Sequence, residues 1–176
     1  MVDGFMQLSQ EEQISLLKSG VFELATIVVS QYYNIETTSL IIDREILPAT
    51  LFHSSDQSEM QFIIAMHGCI HEFAQLNLTT VEIALLSAWI LLDRSSLGQY
   101  IVEQLRNCLQ QQIVSRLADS SSTMQRLCDL IARLRTLAQE HIRLLNQLNL
   151  IYPQIADRGT LPELYKELFT PTSSIS

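Results

Sequence analysis

The chain has 176 residues, enough for one domain with a real hydrophobic core. Hydrophobic residues make up 47% of it and the mean hydropathy is +0.17, which excludes disorder over most of its length. A net charge of −8 with no basic cluster argues against a phosphate-binding face, so any hold on nucleic acid belongs to another part of the protein.

Only 5 glycines and 4 prolines punctuate a sequence rich in Leu, Ile, Gln and Glu, which favours helix. Residues 1–8 start abruptly on Val2, Phe5, Met6 and Leu8, as though a preceding helix had been cut. The opening MVDGFMQLSQEEQ has neither a basic nor an apolar signal region, so no secretory leader is expected. Ser9 with Glu12 reads as a capping box that starts a helix at Gln10. Ile14, Leu17, Val21, Leu24, Ala25 and Val28 keep helical spacing to about Tyr33. Leu16, Phe22, Ile27 and Val29 add apolar flanks, which predicts a helix buried nearly all round.

Residues 39–42, Asp43-Arg44 and residues 45–47 read as a small hairpin, although neither turn residue is Gly or Asn. A helical turn follows at residues 48–52. Asp56 and Glu59 then open a helix to about Gln75. Thr79 with Glu82 is a second capping box before residues 81–92, and residues 93–98 form a loop. Residues 99–117 are amphipathic, residues 119–122 are a polar break, and Ser122 with Gln125 caps a long helix through about Leu148. Residues 152–160 link it to a short last helix, and residues 170–176 read as a disordered tail. The fold class is all-α with one small β-hairpin: one domain over residues 1–170 and a tail over 171–176. No uncharged apolar run reaches 18 residues; the best, IALLSAWILL at 83–92, is a core helix, and no membrane contact is expected. Cys69, Cys108 and Cys128 read as reduced, buried thiols of an intracellular protein.

The last helix, LPELYKELF at 161–169, is the element on which function turns. Pro162 suits a first turn and Glu163 complements the positive helix end. Leu164 with Leu168, and Tyr165 with Phe169, are i,i+4 pairs on one side. So short a helix is marginal in water, so its population depends on what it docks against. That is the specification of a switch.

His67, Cys69 and His71 invite a metal reading, since the two histidines share a helix face. The HExxH order is missing and no third ligand is evident, so packing is the competing account and no metal site is expected. No Ser-His-Asp order, phosphate loop or carboxylate pair argues for catalysis, and no catalytic residue is assigned.

GFMQLSQEEQISLLKSG at residues 4–20 resembles the signature of nuclear receptor ligand-binding domains. Phe5, Leu8, Gln13, Leu16, Leu17 and Lys18 fit, and Glu12 departs from the usual Asp or Ser. LYKELF at 164–169 resembles the family's activation helix. LPELYKELFT is similar to the retinoid-related orphan receptors (ROR) and their invertebrate moulting-associated relatives, and residues 46–60 look closer to the invertebrate branch. The resemblance implies a helical sandwich running from the end of helix 3 to helix 12. Helices 1, 2 and most of 3 would lie outside this chain, with a zinc-finger domain that binds DNA and holds the only zinc. It implies a nuclear transcription factor without enzymatic activity.

Three sites follow from that resemblance. A coactivator groove for an LxxLL helix would be walled by Ile14, Leu17, Leu164 and Leu168, with Glu167 at the peptide's N-terminus and Lys18 at the groove edge. The family's main clamp lysine would lie before Met1. The competing account makes Lys18 and Glu167 plain surface charges. A lock would join His141 to Tyr165 with Phe169 beside them, holding the last helix closed with little or no ligand; the alternative is a satisfied core histidine. A pocket for a lipophilic, sterol-like ligand would use Phe22, Ala25, Val28, Val29, Leu40, Ile42, Phe52, Ile63, Met66 and His67. Vertebrate ROR pockets have arginines where this chain has Val28 and Gln31, and a small residue in place of Tyr32. These positions can equally fill a core. Haem is disfavoured, because related haem receptors need a helix 3 cysteine outside this chain. Residues 99–117 and 125–148 correspond to the family's dimer face, yet ROR-like receptors mostly act as monomers, which is the expectation here. A helical scaffold or adaptor without a switch is the competing function.

Overall fold

The computed structural model describes residues 5–96, 99–116, 120–151 and 163–169. Among them are six α-helices and a three-stranded antiparallel sheet: α1 (Gln10–Ser30), β1 (Tyr33–Asn34), β2 (Ser39–Ile42), β3 (Glu45–Pro48), α2 (Gln57–Gln75), α3 (Thr80–Leu92), α4 (Gln99–Arg116), α5 (Ser120–Ile151) and α6 (Glu163–Phe169). Short 3-10 turns sit at Phe5–Gln7 and Ala49–Leu51. The expected all-helical architecture with a small sheet is the one observed.

Five helices close one core. Ile27 of α1, Phe73 of α2, Leu86 and Trp89 of α3, Leu109 and Ile113 of α4, and Leu127, Leu130 and Leu134 of α5 are buried together. Each fully buried Leu, Ile or Phe contributes about 1.5–3 kcal/mol, so this shared core orients the helices. A smaller cluster of Leu8, Leu16 and Leu92 seals the start of α1.

Local chemistry explains the starts of α2 and α3 and part of that of α1. The Asp56 carboxylate accepts from the N–H groups of Ser58 and Glu59 at 2.8 and 3.0 Å, opening α2. Thr79 and Glu82 form the full capping box of α3, with Glu82 accepting from the Thr79 N–H at 2.7 Å. At the first helix only half the box forms. Ser9 accepts from the Glu12 N–H at 3.2 Å, but the Glu12 carboxylate turns away to accept from the Ser96 N–H at 2.9 Å. A tertiary partner has displaced the local one. Nor does Ser122 cap the long helix: α5 already runs from Ser120, and Gln125, inside it, donates to Asp129.

Other expectations are corrected as well. α1 ends at Ser30, because Tyr33 and Asn34 pair with Leu40 and Ser39 as a third strand. It is not buried all round: Ile14, Leu17 and Val28 are exposed, while Glu23, Thr26 and Ser30 lie inside. Each polar group finds at least one partner, and among the described residues the second Glu23 oxygen, Oε2, is left without one. Thr26 and Ser30 donate to the carbonyls of Phe22 and Ile27, and Glu23 pairs with Arg94 at 3.0 Å. The hairpin turn is built as read, with φ of 49° at Asp43 and 73° at Arg44. Both central residues are thus left-handed, as the strand twist requires, despite the missing glycine. Of the cysteines only Cys69 is buried; Cys128 is half-buried and Cys108 exposed. α1 is also long and apolar enough, by length and composition alone, to cross a membrane; it packs on α2, α3 and α5 as a core helix does. The linker at 152–160 and the tail at 170–176 lie outside the described residues, as do Leu161 and Pro162.

Glu82 is also where α3 and α4 are joined. It is 1% exposed, and both its oxygens accept from Arg116, at 3.2 and 2.9 Å. Burial alone raises its carboxyl pKa, but the Thr79 N–H and Arg116 outweigh this and hold it below the ordinary carboxylate value. Arg116→Met, which strands the buried carboxylate, is expected to cost about 3 kcal/mol in urea unfolding. Glu82→Leu combined with Arg116→Met should recover most of that loss.

Candidate functional site

The site assembles around α6, whose seven residues cannot hold a helix alone. α6 packs against α1, and its Tyr165 and Phe169, one turn apart, both reach His141 of α5. The His141 Nε2 and the Tyr165 hydroxyl are 2.6 Å apart, a hydrogen bond in which either group can donate. Phe169 stands edge-on to the imidazole at 4.8 Å between centroids and lies 4.7 Å from the Tyr165 ring. On the other side Phe22 of α1 approaches the imidazole to 4.8 Å, and Phe62 of α2 stacks on it at 6.0 Å with a 19° tilt. Four aromatic rings from three further helices therefore enclose one histidine.

That enclosure decides its charge. Burial lowers the His141 pKa from its ordinary value and raises that of Tyr165, so at neutral pH both are neutral and the bond buries no ion. The second ring nitrogen, Nδ1, is buried and has no hydrogen-bond partner among the described residues. A second proton there would be an uncompensated charge among rings.

α1 and α6 also carry exposed apolar side chains. Ile14 and Leu17 are each 45% exposed and Leu164 is 66% exposed; Leu168 and Lys18 are half-buried and Glu167 is exposed. The pocket residues are placed less uniformly. Leu40 is buried, and Val29, Ile63, Met66 and His67 are half-buried, whereas Ala25, Val28, Ile42 and Phe52 are exposed. The Phe52 and His67 rings meet at 5.2 Å, and burial lowers the His67 pKa. Phe22 joins the His141 cluster instead. His71 is bonded to Gln75 at 2.9 Å and faces the Tyr33 edge at 5.7 Å, an arrangement of packing groups. No group of three or more potential metal ligands occurs among the described residues.

Two features were missed in the sequence. Phe62 is one apolar residue among many on α2, and nothing local marks it as the backing of His141. Glu23 did carry a signal: the one charged residue in the run Val21 to Val29 is a candidate buried ion pair. Arg94 supplies the charge and also donates to the Ser19 carbonyl at 2.8 Å.

The profile of the ligand-binding domain of nuclear hormone receptors matches residues 1–152. The chain belongs to this family. It is 34% identical to the nuclear hormone receptor family member nhr-23 of Caenorhabditis elegans, over 96% of this chain and 30% of the relative. It is 29% identical to the probable nuclear hormone receptor HR3 of Drosophila melanogaster, over 97% of this chain and 36% of the relative. Nuclear receptor ROR-alpha B of Danio rerio is 28% identical, over 96% and 36% respectively. The chain thus spans about a third of the length of the curated relatives it matches. Kinship with ROR and its invertebrate relatives is the kinship read from LPELYKELFT.

The enclosed imidazole makes α6 docking pH-dependent. Above 6.5, the ordinary histidine value, docked and undocked His141 are both neutral and docking is at full strength. Below it the undocked histidine takes a proton that the docked one resists, so docking weakens as pH falls. Hydrogen exchange of the α6 amides, corrected for intrinsic rates, should show less protection at pH 5.5 than at pH 7.5, and His141→Phe should remove the difference. At pH 7.5, Tyr165→Phe should lower α6 protection by about 1–2 kcal/mol.

Proposed function

We propose that this chain is the regulatory domain of a DNA-binding nuclear receptor, and that it recruits LxxLL coactivators through the strip formed by α1 and α6. The observation that carries the proposal is the His141–Tyr165 bond, which ties α6, with its exposed Leu164, to α5, while α1 leaves Ile14 and Leu17 exposed. An amphipathic helix laid on that strip buries its leucines there. Its own terminal N–H and C=O groups stay unpaired, and Glu167 and Lys18 supply charge of the right sign for its N- and C-terminal ends.

In this reading the lock gives basal activity without ligand, because it needs no third component. A lipophilic, sterol-like molecule would act by filling the wall that includes Val29, Ile63 and Met66 and by stiffening α6. DNA contact and zinc belong to a zinc-finger domain beyond this chain, the protein works in the nucleus, and it binds as a monomer. The role is regulatory rather than catalytic.

The test is a titration of a fluorescent LxxLL peptide against the full-length protein, after mass spectrometry has excluded a co-purified lipid. Wild type should bind without added lipid, Glu167→Gln should bind about tenfold or more weakly, and Tyr165→Phe should bind less tightly than wild type. Binding that appears only with a lipid extract would replace the basal reading by a ligand-dependent one. No binding under either condition would favour a scaffold domain.

A further inference from the structure

The chain has 11 basic residues, and only two of them, Lys18 and Lys166, are lysines. A side-chain amine is therefore open to acylation at two positions of this chain, one on α1 and one on α6. Among the described residues six arginines are paired with carboxylates, as Arg94 is with Glu23 and Arg116 with Glu82. No hydrogen bond or ion pair holds the Lys18 amine among the same residues.

Helical spacing sets the two lysines apart. Lys18 follows Ile14 by four residues, so their side chains share a face of α1, and the exposed Leu17 is its neighbour in the chain. Lys166 stands two residues after Leu164 and two before Leu168, which turns it to the opposite side of α6 from both. One amine lies with the apolar side chains offered to an LxxLL helix, and the other lies away from them.

We propose that Lys18 is an acyl-acceptor site, and that its acylation and coactivator binding exclude each other. The inference rests on the coactivator reading given above. The donor is an acyl thioester of the acetyl-coenzyme A class. The deprotonated Nζ attacks the thioester carbonyl, a C–N bond forms and the C–S bond breaks. The sulfur leaves as the thiol with one proton, and the other proton goes to solvent. The product amide carries no charge, so the C-terminal carbonyls of a docked helix lose the cation that complements them. A docked helix in turn covers the amine and keeps the donor away.

The test treats the full-length protein at pH 7.5 with limiting N-hydroxysuccinimidyl acetate and maps both lysines by mass spectrometry. It is run with and without an LxxLL peptide that lacks lysine and is blocked at its N-terminus, so that the peptide consumes no reagent. With peptide at about ten times its Kd, Lys18 should react about fivefold or more slowly, since only the unbound fraction presents its amine. Lys166 should react at an unchanged rate, which makes it the control within the same molecule. Lys18→Gln, which removes the charge as acetylation does, should bind the peptide about two- to fivefold more weakly than wild type. Lys18→Arg, which keeps the charge, should bind it more tightly than Lys18→Gln. Peptide binding with an unchanged Lys18 rate, equal slowing of both lysines, or equal affinities of the Gln and Arg variants would overturn this proposal and leave the coactivator reading standing. Absence of peptide binding would remove both.

Discussion

One contact of 2.6 Å between His141 and Tyr165 separates a seated α6 from a seven-residue segment with no reason to be helical. Isolated helices of that length are marginal in water, so almost all of the order in α6 is borrowed from its docking partner. The bond suits this task because neither group is charged. A buried ion pair in its place would have to overcome the desolvation of two charges, and a purely apolar contact would fix neither register nor rotation. The rings of Phe22, Phe62 and Phe169 make the bond worth more by keeping water out, and they make a protonated His141 intolerable.

The lock acts only because α1 presents a firm surface to α6. α1 is pinned near both ends of its middle stretch to the turn that follows α3: Glu12 holds the Ser96 N–H, and Glu23 holds Arg94. Asp93 in the same turn pairs with Arg135 of α5 at 2.6 Å. One short turn therefore braces α1 against α5, the two helices that carry Phe22 and His141. Between the two pins lie Ile14 and Leu17, and their exposure is a property of the rigid face on which they sit rather than of a loose segment.

Much of this was readable from residues alone, and the physical reasons differ by element. Helix starts were readable where a short polar side chain has one dominant use, as at Asp56 and at Thr79 with Glu82. The start at Gln10 was also read correctly, although Ser96 draws the Glu12 carboxylate away from Ser9 and leaves half the box unmade; the start of α5 was misplaced, because a polar cluster, Ser120 to Ser122, had joined the helix. The hairpin was readable because alternating β-branched residues flank two turn residues. β1 was not, since two residues carry no period. All-round burial of α1 was overestimated because an apolar pattern shows which faces can be buried and says nothing of which faces meet a partner. Of the site, the His141, Tyr165 and Phe169 set came from resemblance to a family, and the structure brings those three side chains together. Phe62 was invisible, because its role exists only once α2 and α5 are packed.

The central claim is that His141 and Tyr165 act as one unit in seating α6. A double-mutant cycle on α6 opening measures this directly, with wild type, His141→Phe, Tyr165→Phe and the double variant followed by hydrogen exchange at pH 7.5. A bonded pair predicts a coupling of about 1 kcal/mol or more, with the double variant little worse than either single one. Strictly additive effects of the two substitutions would contradict the account, because they would mean that each ring serves only as packing.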